Sequence, residues 1–147
     1  MISNKNGSET KDRGVILSTL WIFLTVNYIF CDVFSNMDPG VLKELVTTGG
    51  LSGVQMTQGF LLLAAISMEI PMIMIVLSRV LKFRANRWAN IIVGIIMAVF
   101  QISTLNAGTP PTLHYIFYSI IEVACNLFIV WYAWKWSNPE GSSESKL

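Results

Sequence analysis

The run FLLLAAISMEIPMIMIVLS, residues 60–78, decides the class of this protein, because Glu69 is its only charged side chain. It lies within an apolar segment from about Gln55 to Leu81. Three comparable segments run from Gly14 to about Asn36, from Trp88 to about Ala107 and from about Thr112 to Trp136. A helix rising 1.5 Å per residue needs about 20 residues to cross roughly 30 Å of hydrocarbon, and each segment supplies that. Composition agrees, with 53% hydrophobic and 13% charged residues over 147 positions, where soluble domains carry about 25% charged residues.

The expected fold is therefore an all-α membrane protein. It consists of a four-helix transmembrane bundle over residues 14–136, an N-terminal tail over 1–13 and a disordered tail over 137–147. The outer connection between the first two spans has its own signals. Asp38 followed by Pro39 reads as an N-cap with proline in the first turn. Val41, Leu42, Leu45 and Val46 follow at helical spacing, and Gly49 and Gly50 stop the run. A short amphipathic helix is expected there, as an interfacial connector or as a lid hinged on Gly49, Gly50 and Gly53. The sequence Ala107-Gly108-Thr109-Pro110-Pro111 reads as a tight turn joining the last two spans.

Basic residues set the expected orientation, since positively charged flanks stay in the cytoplasm. Lys5, Lys11, Arg13, Arg79, Lys82, Arg84, Arg87, Lys135 and Lys146 fall on one side and only Lys43 on the other. This predicts a multi-pass protein of the cell membrane with both termini cytoplasmic. Trp131, Tyr132, Trp134 and Trp136 cluster where the last span should reach the same interface. The first span resembles an export signal in its basic flank, but it is too long, carries Asn27 and Asp32, and has no small-x-small cleavage site. It reads as a retained helix. Cys31 and Cys125 lack C-x-x-C spacing and read as inert thiols.

Polar residues within the spans fall in stripes. His114, Tyr118, Glu122 and Asn126 recur every four residues on the last span. Asn27 and Cys31 share a side on the first, beside Tyr28 and Asp32. Asn90, Gly94, Gln101 and Thr104 share one on the third, and Gln58 and Glu69 stand close to three turns apart on the second. Hydrocarbon offers such groups no partner, so they are expected to face the bundle interior or water. With Asp32, Gln101, Asn106 and His114 toward the outer end, the stripes suggest a pocket open to the outside. The carboxyls are costly in either state. Holding a Glu neutral at pH 7 costs about 3.7 kcal/mol, and inserting it charged costs roughly 2.5 to 3.5 kcal/mol. Pro71 places a helix break within a turn of Glu69 and frees the Ser67 carbonyl; Met68, Met72 and Met74 surround it. Asn27, Asp32, Glu69, Gln101, His114, Tyr118, Glu122 and Asn126 are the candidate ligand-binding or proton-relay residues. No catalytic residue is assigned.

The pattern Leu17-Ser18-Thr19-Leu20-Trp21-Ile22-Phe23, leading through Asn27-Tyr28-Ile29 to Asp32 and then Met37-Asp38-Pro39-Gly40, resembles a family of small bacterial membrane proteins of unknown function. The layout is similar to that of DoxX-like four-helix proteins. The resemblance implies the class and carries no activity over.

The sequence has no Gly-rich phosphate loop with Lys, no H-E-x-x-H motif and no nucleophile elbow. One His with two carboxylates (His114, Asp32, Glu122) is too little to expect a metal, and no cofactor is expected. The expected partners are membrane lipid, an apolar small molecule or quinone, and further copies of the chain. No nucleic acid is expected, because the basic residues form no stripe. Three functional classes follow: a protein binding an apolar or lipid-like molecule or supporting a membrane complex, a small proton-coupled transporter, and an intramembrane lipid-modifying enzyme. The first stands ahead.

Overall fold

A computed structural model describes residues 2–51, 53–105 and 111–136. Asn106, the expected turn at 107–110 and the tail over 137–147 lie outside the described residues. The elements in chain order are α1 (Ile2–Met37), α2 (Pro39–Thr48), β1 (Gly50–Leu51), β2 (Val54–Gln55), α3 (Gln58–Val80), α4 (Phe83–Leu105) and α5 (Leu113–Trp134). Four stretches, Lys11–Met37, Gln58–Val80, Phe83–Leu105 and Leu113–Trp134, are long and apolar enough to cross a membrane. This is an all-α membrane bundle with a short helix after the first span.

Local chemistry sets the element ends. The Asp38 carboxylate accepts from the backbone N–H of Gly40 at 2.8 Å and of Val41 at 3.3 Å, capping α2 with Pro39 in its first turn. Gly49 closes that helix in the left-handed region, at φ 67°, where glycine carries no Cβ penalty. A lid hinged on Gly49, Gly50 and Gly53 is the sequence's alternative to a plain connector, and Gly50 and Gly53 do not form a loose hinge. They instead form a two-stranded hairpin, with Gly50 opposite Gln55 and Leu51 opposite Val54. A Cβ on Gly50 would stand 2.5 Å from the Val54 carbonyl oxygen, and Gly53 turns the chain at φ 80°. Thr57 then caps α3 by accepting from the Phe60 N–H at 3.2 Å.

The helices pack in the order α3, α1, α5, α4, with α1 against both α3 and α5 and α4 against α5. Trp21, Leu17, Leu24 and Ile129 are fully buried at the centre, with Met74, Tyr28 and Met97 around them. Residues such as Ile22, Phe23, Ile92 and Phe128 face outward as a lipid-facing surface.

One end of the bundle, the basic end, is tied by polar contacts between helices. Asn90 uses its whole amide: Oδ1 accepts from Trp21 Nε1 at 2.7 Å and from Ser78 Oγ at 3.3 Å, and Nδ2 donates to the carbonyl and side-chain oxygens of Asn86. Asn86 in turn donates to the Ser78 carbonyl at 2.6 Å. The Ser18 hydroxyl donates to the Ile75 carbonyl at 2.8 Å and accepts from Arg79 Nε at 3.0 Å. Arg13, Arg87 and Lys135 each sit over an aromatic ring, those of Tyr132, Trp134 and Trp131. α3 and α4 are joined by only Leu81 and Lys82 and share little surface; Ser78, Asn86 and Asn90 hold them together at this end.

Gly14 marks where α1 meets α3 most closely, since a Cβ there would lie 2.6 Å from the Ser78 carbonyl oxygen. Gly14→Ala should push the helices apart and lower unfolding stability by about 2 kcal/mol, as overpacking does. Gly59→Ala, whose Cβ meets nothing closer than Thr57 Oγ1 at 3.9 Å, should be neutral or stabilising. Denaturant unfolding of both variants in detergent checks the pair, and equal effects would refute the close-approach argument.

Candidate functional site

The half of the bundle away from the basic end contains a cavity of about 130 Å³, lined from all four long helices. Tyr28, Cys31 and Asp32 come from α1, Ser67 and Met68 from α3, Met97, Phe100, Gln101 and Thr104 from α4, and Tyr115 and Glu122 from α5. Glu122 is fully buried, whereas Asp32 is exposed and stands at the mouth. α3 packs on α1 and shares little surface with α4. Every residue from Gln58 to Ile66 is exposed, so the first half of α3 stands clear of its neighbours.

Hydrogen bonds on the wall have a direction. Gln101 Nε2 donates to Ser119 Oγ at 2.8 Å, Tyr115 Oη donates to Thr104 Oγ1 at 2.8 Å, and Thr104 Oγ1 donates to the Gln101 carbonyl. The hydrogens placed in these bonds are used within the protein, while the Tyr28 hydroxyl, which accepts from Asn126 Nδ2, keeps its own proton to offer. The open acceptors are more numerous. Among the described residues, four buried side-chain atoms lack a partner, and two of them are the carboxyl oxygens of Glu122. A third is Oδ1 of Asn126, one turn further along α5. Ser67 also lines the cavity, and its carbonyl has no donor four residues on because Pro71 has no N–H. Among the described residues, no Lys, Arg or His lines the cavity. It is an acceptor-rich pocket with an apolar rim of Met68, Met97 and Phe100.

The structure brings together only part of the candidate set. Asp32, Gln101 and Glu122 line the cavity. Asn126 lies behind it, fully buried, donating to Tyr28 Oη and to the Glu122 carbonyl, both at 3.0 Å. Asn27 is spent within its own helix, donating to the Phe23 carbonyl at 2.9 Å. His114 lies at the end of α5, with Nε2 at 3.2 Å from Thr112 Oγ1 and 3.4 Å from Ser35 Oγ. The Tyr118 ring stacks on Phe34, with centroids 6.1 Å apart, and does not line the cavity. The stripe on α5 thus turns away from the pocket at both ends, because a four-residue repeat drifts around a helix of 3.6 residues per turn. Glu69 departs most from expectation: it faces outward from α3 instead of into the bundle. Sequence reasoning missed Tyr115, Met97 and Phe100. Their polar or apolar neighbours carried the stripe, and only the helix pairing shows which side is inward.

No described group of three His, Cys, Asp or Glu could hold a metal. Cys31 and Cys125 are unpaired thiols, with Cys31 on the cavity wall. A family model matches residues 7–143, and its description is a family of unknown function (DUF6326). The chain belongs to that family. No curated protein and no solved structure matches it, so the cavity of this DUF6326 member is read from its own residues.

Two buried carboxyl oxygens to which no N–H or O–H of the described residues donates weaken the fold, because burial costs them bulk water and the chain supplies no replacement donor. Glu122→Met should therefore raise unfolding stability by about 1–3 kcal/mol. Thermal unfolding in detergent measures this; a lower melting temperature would mean that Glu122 is held by partners and is structural.

Proposed function

We propose that this protein binds, at the bilayer, the head of a small amphiphile that donates hydrogen bonds, an ammonium or hydroxyl group. The observation that carries the reading is Glu122, fully buried at the base of a cavity with neither carboxyl oxygen partnered. Asp32 adds a second carboxyl on the same path, and among the described residues no cationic side chain lines it. The volume limits what enters. At about 130 Å³ the cavity compares with an engineered cavity of about 150 Å³ that holds benzene, and falls below the roughly 300 Å³ where drug-sized sites begin. It suits a head group, with the apolar remainder lying between α3 and α4 in lipid, and it disfavours enclosure of a whole quinone.

The nine-to-one distribution of Lys and Arg supports placing the basic end in the cytoplasm, with both termini there, so that the cavity opens in the outer half of the cell membrane. The layout of DoxX-like proteins and a bacterial source rest on the short pattern in the first span. A second reading, proton-coupled transport, draws on Asp32 and Glu122 sharing one cavity.

With the protein in lipid nanodiscs, a short alkylamine should bind at least tenfold more tightly than the alkylcarboxylate of equal length, as read by calorimetry. Glu122→Gln should remove most of that preference and Asp32→Asn part of it. Equal binding of both amphiphiles, or full preference in Glu122→Gln, would reject the reading. Amine-dependent proton uptake in sealed vesicles would favour the transport alternative.

For orientation, a cysteine placed at Thr48 should react with an impermeant thiol reagent from outside intact cells, while a reporter fused after Leu147 stays cytoplasmic. Both on one face would overturn the assignment.

A further inference from the structure

We propose that two copies of this chain pair through α3, with Glu69 of one copy hydrogen-bonded to Glu69 of the other. Among the four spans, α3 is the least enclosed: 11% of its apolar window is buried, against 33% to 39% for the others. Its bundle-facing side is carried by Pro71, Met74 and Ser78. At 100° per residue, Glu69 projects from the opposite side, where it is exposed and has no partner among the described residues.

The exposed side is not a featureless lipid face. Leu62, Ala65, Glu69, Met72 and Val76 are all exposed and follow one another at spacings of three, four, three and four residues. That is the 3.5-residue repeat of a left-handed helix pair, with a single polar position at its centre and a small residue one turn away. A carboxyl at this depth needs a partner, since hydrocarbon supplies none.

The membrane decides which partner the seam accepts. Two copies inserted in the same orientation form a closed pair only about an axis along the membrane normal. Each residue on the axis then meets its own copy at equal depth. Glu69 faces Glu69, and a single proton held between the two carboxyls is enough for a hydrogen bond, because one oxygen then donates and the other accepts. A foreign helix would have to bring a matching polar group to the same depth and the same repeat.

The test uses the full chain in lipid vesicles, with the dimer fraction read by single-molecule photobleaching over a range of protein-to-lipid ratios. Wild type and Glu69→Gln should associate within about threefold of each other, because the amide keeps both a donor and an acceptor. Glu69→Leu should weaken association about tenfold, the factor that interhelical hydrogen bonding supplies, with no loss of monomer melting temperature, since the side chain leaves the bundle. Met72→Cys should cross-link to itself on oxidation and Leu63→Cys, on the flank, should not, both read against the wild-type chain with Cys31 and Cys125. The proposal is overturned by a chain that stays monomeric at every ratio, whether bare or bound to another protein. It is equally overturned by Glu69→Leu pairing as tightly as wild type, or by cross-linking at Leu63 in preference to Met72.

Discussion

A side-chain amide placed in hydrocarbon has no water to turn to, and the bundle is organised around how Asn90 meets that constraint. Its two acceptor positions are filled from Trp21 and Ser78 and its two donors by Asn86, so one residue of α4 joins α1 and α3. Interhelical bonds of this kind contribute about 0.6 to 2 kcal/mol each. Their larger effect is on register: Trp21 fits the centre only if α1 stands at the height where its indole N–H finds that oxygen. The close approach of Gly14 to Ser78 follows from the same register.

The two halves of the molecule handle polar groups differently. At the basic end, amides, hydroxyls and guanidinium groups are matched across helices or laid over aromatic rings, with Nε of Arg87 the one buried exception among the described side-chain atoms there. In the other half, Glu122 and Asn126 keep unpaired oxygens beside a cavity. Saturation in one half makes the orphaned acceptors in the other informative, because the same chain shows that it can satisfy buried polar groups.

Much of the architecture was legible in the sequence, because span length, basic flanks and capping residues are local signals. Asp38, Pro39 and Gly49 marked α2 without any tertiary contact. The hairpin at Gly50–Gln55 was not legible: two-residue strands have no periodicity, and glycine clusters serve hinges and tight turns alike. Asp32, Gln101 and Glu122, which line the cavity, drew attention in the sequence because carboxyls and amides stand out against apolar surroundings. Which side of each helix faces inward depends on pairing, and that misplaced Glu69, Tyr118 and His114. The Ser18–Ser78–Asn86 portion of the network escaped because serines and an asparagine near a span's end look like ordinary flanks.

The two-residue link between α3 and α4 lies beside the Ser78–Asn86 contact, and at the far end the two helices are held by α1 and α5 instead of by each other, which gives the pair the outline of a tuning fork. Each prong of 23 residues is about 35 Å long at 1.5 Å per residue. A rotation of roughly 5° at the base then moves the tip by ~3 Å, enough to change a gap by the width of a methylene chain. The hydrogen bonds at the base and the packing of α3 on α1 and of α4 on α5 together set how far the tips can part, so a substitution at Asn86 would be felt in a spacing it never touches.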